Sequence, residues 1–316
     1  MVERDHIAQS KAIHRRTGRT FYYATRLLPG RVREATYVLY AFFRVADEVV
    51  DDTDGTPPEE QRRRLDSLRE QALGRADPEG PVLEAFQAIR ERHDIIDDDI
   101  EAFLDAMETD IGKRRYETYA ELEAYMNGSA AAVGRMMTAV MDPDNPEDAL
   151  PHATALGEAF QLTNFVRDVR EDVIERDRIY LPQSTLREYD VTNDQIERFE
   201  MDGNVERAVR TELTRAESLY RKGVTGIKYL PEDCQFPVLL AAVLYAEHHR
   251  LIRACEYDVL TNEPELSTAK KLRLVARVRW HWQWSTDPEA VFYRASAVPG
   301  PTVPRTERRH DSLPTR

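Results

Sequence analysis

The chain has 316 residues, 41% of them hydrophobic, which is enough apolar material for a large core in one or two domains. A formal net charge of -13 and a pI near 5.2 exclude the basic face that binding to a phosphate backbone requires, so no nucleic-acid partner is expected. Six Lys stand against 38 Arg, and strong acidity with few Lys suits a halophile-like protein of a salty cytoplasm, where screening relieves self-repulsion.

Taken in order, Asp5 to Thr17 reads as a short helix that Gly18 stops. The stretch RTFYYATRLLP at 19–29 crowds basic residues, a hydroxyl and aromatics together. Arg31 to Asp52 reads as a helix ended by the breakers of DDTDGTPP. Charged amphipathic helices follow at 58–73, 81–93 and 97–111. The run Asp97, Asp98, Asp99 opens the last of these, where acidic residues complement the helix dipole, so it reads as a helix start and not as a metal cluster. Tyr119 to Met141 turns small and apolar, which permits close helix approach or room for a bulky ligand. DPDNP at 142–146 is a turn. Pro146 to Arg176 reads as one helix, 203–226 as a charged one and Phe236 to Leu260 as the most apolar, with Tyr245 pointing inward by periodicity. His248 and His249 point about 100° apart on a helix and read as surface or cap residues. Lys270 to Trp284 is basic and Trp-rich, suited to membrane-surface contact, although packing on the core is the first expectation. The domain spans 1–290, with a disordered tail over 291–316, Pro-rich and charged from Pro299.

Few Gly and no strand-like alternation give an all-α reading. Cys234 and Cys255 form neither a disulfide framework nor a CxxC site, and read as thiols of a reducing cytoplasm. The N-terminus lacks an apolar signal core and no apolar run reaches 18 residues, so a cytoplasmic protein, soluble or peripherally membrane-associated, is expected.

Two stretches carry the chemistry. In FQLTNFVRDVRED, Gln161, Asn164, Asp168 and Asp172 form one polar line at helical spacing, set among Phe160, Leu162, Phe165, Val166 and Val169. In YVLYAFFRVADEVVDD, Asp47 and Asp51 repeat the spacing beside Arg44. With 57 acidic residues, chance alone gives roughly ten i,i+4 acidic pairs, so a lone pair carries nothing. The apolar setting, the accompanying Arg44 and Arg167, and the repetition set these two apart. Carboxylates so placed need a positive partner, and a hard divalent cation fits their oxygen donors.

These stretches, with RTFYYATRLLP at 19–29, YAFFRVADEVVD at 40–51, QLTNFVRDVRED at 161–172 and RIYLP at 178–182, resemble the paired aspartate-rich motifs of the squalene and phytoene synthase family. The likeness runs from about Arg15 to about Trp284. It implies an all-α, single-domain class I isoprenoid synthase bundle with a central cavity. It implies Mg²⁺, with Mn²⁺ as a substitute, at Asp47, Asp51, Asn164, Asp168 and Asp172, the four aspartates being catalytic. Substrate contacts are expected from Arg19, Thr20, Phe21, Tyr40, Arg44, Tyr125, Gln161, Asn164, Arg167, Arg178, Tyr180 and Tyr245, with Tyr125 beside the small residues Gly128, Ala131 and Gly134. The family commonly has Ser at the positions of Gly18 and Thr20; Thr20 keeps a hydroxyl and Gly18 does not.

The expected reaction joins two identical prenyl diphosphates through a cyclopropylcarbinyl diphosphate. Two geranylgeranyl diphosphates giving phytoene, without NADPH, is the first expectation, because TNFVRDVRED with RIYLP looks most like phytoene synthases. Squalene or dehydrosqualene from farnesyl diphosphate is the alternative, and a scaffold protein of the same fold is the non-enzymatic one. Peripheral membrane contact and downstream carotenoid enzymes are further partners this reading allows.

Overall fold

A computed structural model describes residues 23–51 and 55–300. Among these there is no strand, and the only extended pairing is an isolated bridge between Arg115 and Ile179. The helices start where the sequence supplies N-terminal signals. Pro sits in the first turn of α2 (Pro58–Ala72), α3 (Pro81–Arg92) and α7 (Pro146–Arg167), where its missing N–H costs nothing. Thr118 caps α5 (Tyr119–Met126), Thr192 caps α10 (Asn193–Glu197), which follows the short α9 (Gln183–Glu188), Asp202 caps α11 (Gly203–Val224), Ser267 caps α13 (Thr268–Trp284) and Asp287 caps α14 (Pro288–Ala295). The acidic run 97–99 does open α4 (Asp97–Gly112), and Asp99 is neutralised by Arg135 at 2.5 Å.

The bundle is organised around α7, which packs against α6 (Ala132–Met141), α11 and α12 (Glu232–Ala254). The other wall is α1 (Gly30–Val50), whose Phe42 stacks on Phe86 of α3 with ring centroids 3.9 Å apart. Two close approaches are set by glycine. A Cβ on Gly157 of α7 would lie 2.5 Å from the Ala130 carbonyl oxygen, and one on Gly128 would run into the Ala102 carbonyl of α4.

The structure departs from the sequence expectations at several points. Within Tyr119 to Met141 a π turn at Asn127–Ala131 lies between α5 and α6; of the small residues expected beside Tyr125, Gly134 lines the cavity but Gly128 and Ala131 do not, and Ser129, Ala130 and Val133 do. The 146–176 helix breaks at Asp168 (φ -102°, ψ 19°), giving α7 and α8 (Val169–Arg176), although the chain of backbone hydrogen bonds continues across the break. His248 and His249 are buried and not on the surface, because α12 is covered by α7, α11, α13 and α14 and leaves polar residues no way out. The tail expected from 291 begins too early: Val291 and Phe292 are buried in α14, and Val298 is buried beyond it. Trp280 and Trp284 of α13 stand in solvent, while Leu274 and Val278 make its buried contact. The helix expected at 5–17 and the end from 301 lie outside the described residues. No described helix is long and apolar enough to cross a membrane.

Candidate active site

Inside the bundle lies a cavity of 580 Å³, lined in part by small and aliphatic side chains and in part by a rim of carboxylates and guanidiniums. Ala153, Leu156, Gly157, Ile227, Leu230 and Val238 belong to its apolar part. Asp47 and Asp51 approach the rim from α1, and Asn164, Asp168 and Asp172 from α7 and α8. The two acidic lines meet: Arg176 places Nε 3.5 Å from Asp51 Oδ1 and NH1 3.4 Å from Asp172 Oδ1. Two more rim aspartates have a guanidinium partner: Arg44 NH1 lies 3.2 Å from Asp47 and Arg167 grips both oxygens of Asp168, while Arg178 stands as a second neighbour 3.8 Å from Asp51.

Positive partners do not cancel the crowding. Burial first, and then the neighbouring carboxylates, push Asp47 up to about 7 against the pull of Arg44. Burial and Asp168 likewise push Asp172 up to about 7, with Arg176 pulling it down. A rim of this kind holds more negative charge than its arginines comfortably match, which is the electrostatic condition for taking up a cation.

Below the rim the wall is aromatic. Tyr180 stacks on Phe165 with centroids 3.9 Å apart, Tyr125 lies 5.9 Å from Tyr180, and Tyr245 lies 4.9 Å from Phe160. Tyr125 donates a 2.8 Å hydrogen bond to Asp110, whose backbone carbonyl accepts from Arg178 at 2.5 Å. Burial raises the phenols of Tyr125 and Tyr180 well above their ordinary range, and Tyr245 up to about 12, so all three are neutral donors near neutral pH.

Behind the rim a second layer holds α7 in place. His248 donates from Nδ1 to the Tyr245 carbonyl at 3.0 Å; that tautomer turns the lone pair of Nε2 toward Arg167 NH1, 3.4 Å away. Burial and the adjacent Arg167 lower His248 to about 3, keeping it neutral. One turn earlier on α7, Thr163 Oγ1 lies 2.9 Å from His249 Nε2, and Glu217 anchors that ring from α11 at 3.5 Å.

All the described residues expected at the site line this cavity: Tyr40, Arg44, Asp47, Asp51, Tyr125, Gln161, Asn164, Arg167, Asp168, Asp172, Arg178, Tyr180 and Tyr245. Arg19, Thr20 and Phe21 lie outside the described residues. Asp110 and Arg176 line it too and were missed. Both carried a signal. Arg176 continues the 168, 172 line by one more turn, and Asp110 falls on the buried stripe of α4 with Phe103 and Met107, where an acid is out of place.

The donor set suits a hard cation in part. Asn164 is bonded through its side chain to Tyr245, yet its Oδ1 is buried with no partner, an acceptor in want of a positive group. Among the described residues no three His, Cys, Asp or Glu side chains sit close enough to hold a metal by themselves. That combination fits Mg²⁺, which is usually bound through one or two carboxylates together with substrate phosphates, and does not fit a preformed protein cage.

An all-helical bundle with facing carboxylate lines over an apolar, aromatic cavity defines a prenyl-synthase class of fold. Residues 14–280 match the family model described as squalene/phytoene synthase, and the chain belongs to that family. It is 36% identical over 269 residues to the phytoene synthase of Rhodobacter capsulatus, covering 83% of this chain and 77% of that one. It is 31% identical over 278 residues to the 15-cis-phytoene synthase of Synechococcus elongatus, covering 84% and 89%. Among solved structures, a dehydrosqualene synthase in complex with a ligand superposes with a TM-score of 0.80 at 26% identity over 89% of this chain and 98% of that one.

Proposed function

We propose that this chain is a phytoene synthase, condensing two molecules of geranylgeranyl diphosphate head to head through a cyclopropylcarbinyl diphosphate without NADPH. One observation carries the reading: the two acidic lines, remote in sequence, face each other across the mouth of an apolar cavity and are bridged by Arg176. The names of the relatives at 31–36% identity support the choice of product. The structural likeness to a dehydrosqualene synthase supports farnesyl diphosphate as the alternative substrate.

Asp47, Asp51, Asn164, Asp168 and Asp172 would hold Mg²⁺ together with diphosphate oxygens. Bound there, Mg²⁺ supplies Lewis-acid stabilisation of the departing diphosphate. Arg44, Arg167, Arg176 and Arg178 add charge-assisted hydrogen bonds, and each leaves its carboxylate free as it turns toward the anion. The wall formed by Tyr125, Phe165, Tyr180 and Tyr245 excludes water from an allylic cation and offers it ring faces. The neutral phenols of Tyr180 and Tyr245 would orient the diphosphate by donating to it, the Tyr125 proton being held by Asp110. The prenyl tails would run along the apolar lining to which Leu156, Gly157 and Val238 belong.

The test is incubation of purified protein with Mg²⁺ and labelled geranylgeranyl or farnesyl diphosphate, with and without NADPH, followed by identification of the hydrocarbon. Phytoene formed without NADPH is expected. A C30 hydrocarbon from farnesyl diphosphate, with none from geranylgeranyl diphosphate, would overturn the substrate assignment.

A further inference from the structure

We propose that the exposed face of α13 is a docking surface for an anionic lipid bilayer, lying flat at the level of the headgroups. The charge of this helix is opposite to that of the molecule that carries it. Residues 268–284 hold five Lys and Arg and no Asp or Glu, in a chain of net charge -13. Its exposed face is also apolar. Leu272, Ala276, Trp280 and Trp284 follow one another at four-residue spacing, and Leu272, Trp280 and Trp284 are 60%, 61% and 73% exposed. The two indoles lie edge to face with centroids 6.0 Å apart.

At about 100° per residue, Arg273 falls roughly 40° to one side of the Ala276 and Trp280 line and Arg279 roughly 80° to the other, whereas the Arg277 guanidinium is turned back to the Arg294 carbonyl at 2.7 Å. Stems on both flanks can therefore lie along the apolar strip while their guanidiniums reach up to lipid phosphates. Trp at the centre and Arg at the margins is the distribution of a helix lying in the membrane interface, where an indole is half apolar and half wet. The opposite face holds the helix on the protein: Leu274 and Val278 are buried, and the Lys270 ammonium lies 3.1 Å from the buried Glu247 of α12.

Two further observations favour a bilayer over other occupants. Pairing with the same face of a second copy would bring two basic helices together, which like-charge repulsion opposes. An anionic surface, by contrast, attracts juxtaposed Lys and Arg even when the rest of the protein is acidic, because screening confines the interaction to about a Debye length. The face is also next to the apolar part of the cavity. Trp282 packs on Phe236 at 5.8 Å, and the next residues of α12, Pro237 and Val238, line the cavity wall. Lipid docking does not depend on the proposed reaction, though it would place the cavity beside the phase in which prenyl chains dissolve.

The protein supplies its own probe, because its three Trp are Trp280, Trp282 and Trp284. Tryptophan emission therefore reports this helix alone. With vesicles of phosphatidylcholine and phosphatidylglycerol, emission is expected to shift to the blue and to be quenched by lipids brominated high in the acyl chain. Phosphatidylcholine alone should give much less. The double variant Trp280→Ser and Trp284→Ser, followed through Trp282 and by vesicle sedimentation, should lower partitioning about tenfold or more. Arg273→Gln with Arg279→Gln should lower it several-fold and flatten its dependence on salt. Activity on detergent-dispersed substrate should be unchanged in the Trp double variant, which separates a failure of docking from a failure of the proposed reaction. Three results would overturn the proposal: no change in emission with anionic vesicles, undiminished partitioning of the Trp double variant, or a blue shift that grows with protein concentration in the absence of lipid, which marks a second copy as the occupant.

Discussion

Replacing Asp172 by Asn should stabilise the metal-free protein while abolishing turnover. Asp172 is 9% exposed, and its carboxyl is raised from 3.8 to about 7, chiefly by burial and by Asp168. The native state therefore binds more protons than the unfolded chain between those two values. The sign follows from linkage: stability falls as pH rises from about 4 to about 7, and the cost of the ionised group is fully present above that. A difference of this size corresponds to at most roughly 4 kcal/mol. Relaxation of the rim and loss of an acceptor for Arg176 reduce the expected gain to about 1–3 kcal/mol, or roughly 1.5–4.5 °C in Tm for a chain of this length. Arg176 keeps Asp51 as a partner, so the substitution does not strand a buried cation. The assay is thermal unfolding of wild type and Asp172→Asn in chelator at pH 5 and pH 8. The variant should lead at pH 8 and show little advantage at pH 5, with activity down about a thousandfold or more. A variant less stable at pH 8, or an advantage independent of pH, would refute the electrostatic account of the rim.

Other outcomes follow from neighbouring geometry. His248→Leu removes the acceptor that steadies Arg167 against Asp168 and should raise the Mg²⁺ concentration for half-maximal activity about tenfold, with His248→Gln restoring part of the loss; equal Mg²⁺ requirements in wild type and His248→Leu would leave that residue without a positioning role. Gly157→Ala puts a Cβ 2.5 Å from the Ala130 carbonyl, which cannot yield, so about 1–3 kcal/mol of stability should be lost on urea titration and activity should fall with it, because Ala130 lines the cavity. Lowering the salt to dilute buffer should reduce helical circular dichroism if the net charge of -13 requires screening, and an unchanged spectrum would remove the halophile-like reading.

Helix positions were legible because apolar periodicity and first-turn signals agree, as with the acidic run from Asp97 and the proline at Pro146, and the candidate site was legible because acids on apolar faces are rare. What escaped the sequence was tertiary. A Phe103, Met107, Asp110 stripe announces a buried acid, but nothing local says that Tyr125 and Arg178 will meet it. The π turn at 127–131 sits where Gly128 meets the Ala102 carbonyl and Gly157 of α7 meets Ala130, an approach that periodicity cannot report, and no breaker in the sequence announces the break at Asp168. His248 and His249 read as polar and therefore outside. Only the surrounding helices show that Thr163, Glu217 and Arg167 meet them inside. For α13 packing on the core was the first expectation, and Leu274 and Val278 make that contact while Trp280 and Trp284 are turned outward.

The central claim is that the rim holds its cation jointly with diphosphate. Electron paramagnetic resonance of Mn²⁺ with the purified protein, with and without inorganic diphosphate, tests it most directly. The account predicts weak binding without diphosphate, binding at least about tenfold tighter with it, and loss of that gain in Asp47→Asn and Asp168→Asn. Tight stoichiometric Mn²⁺ binding in the absence of diphosphate, or a diphosphate effect that survives both substitutions, would contradict it.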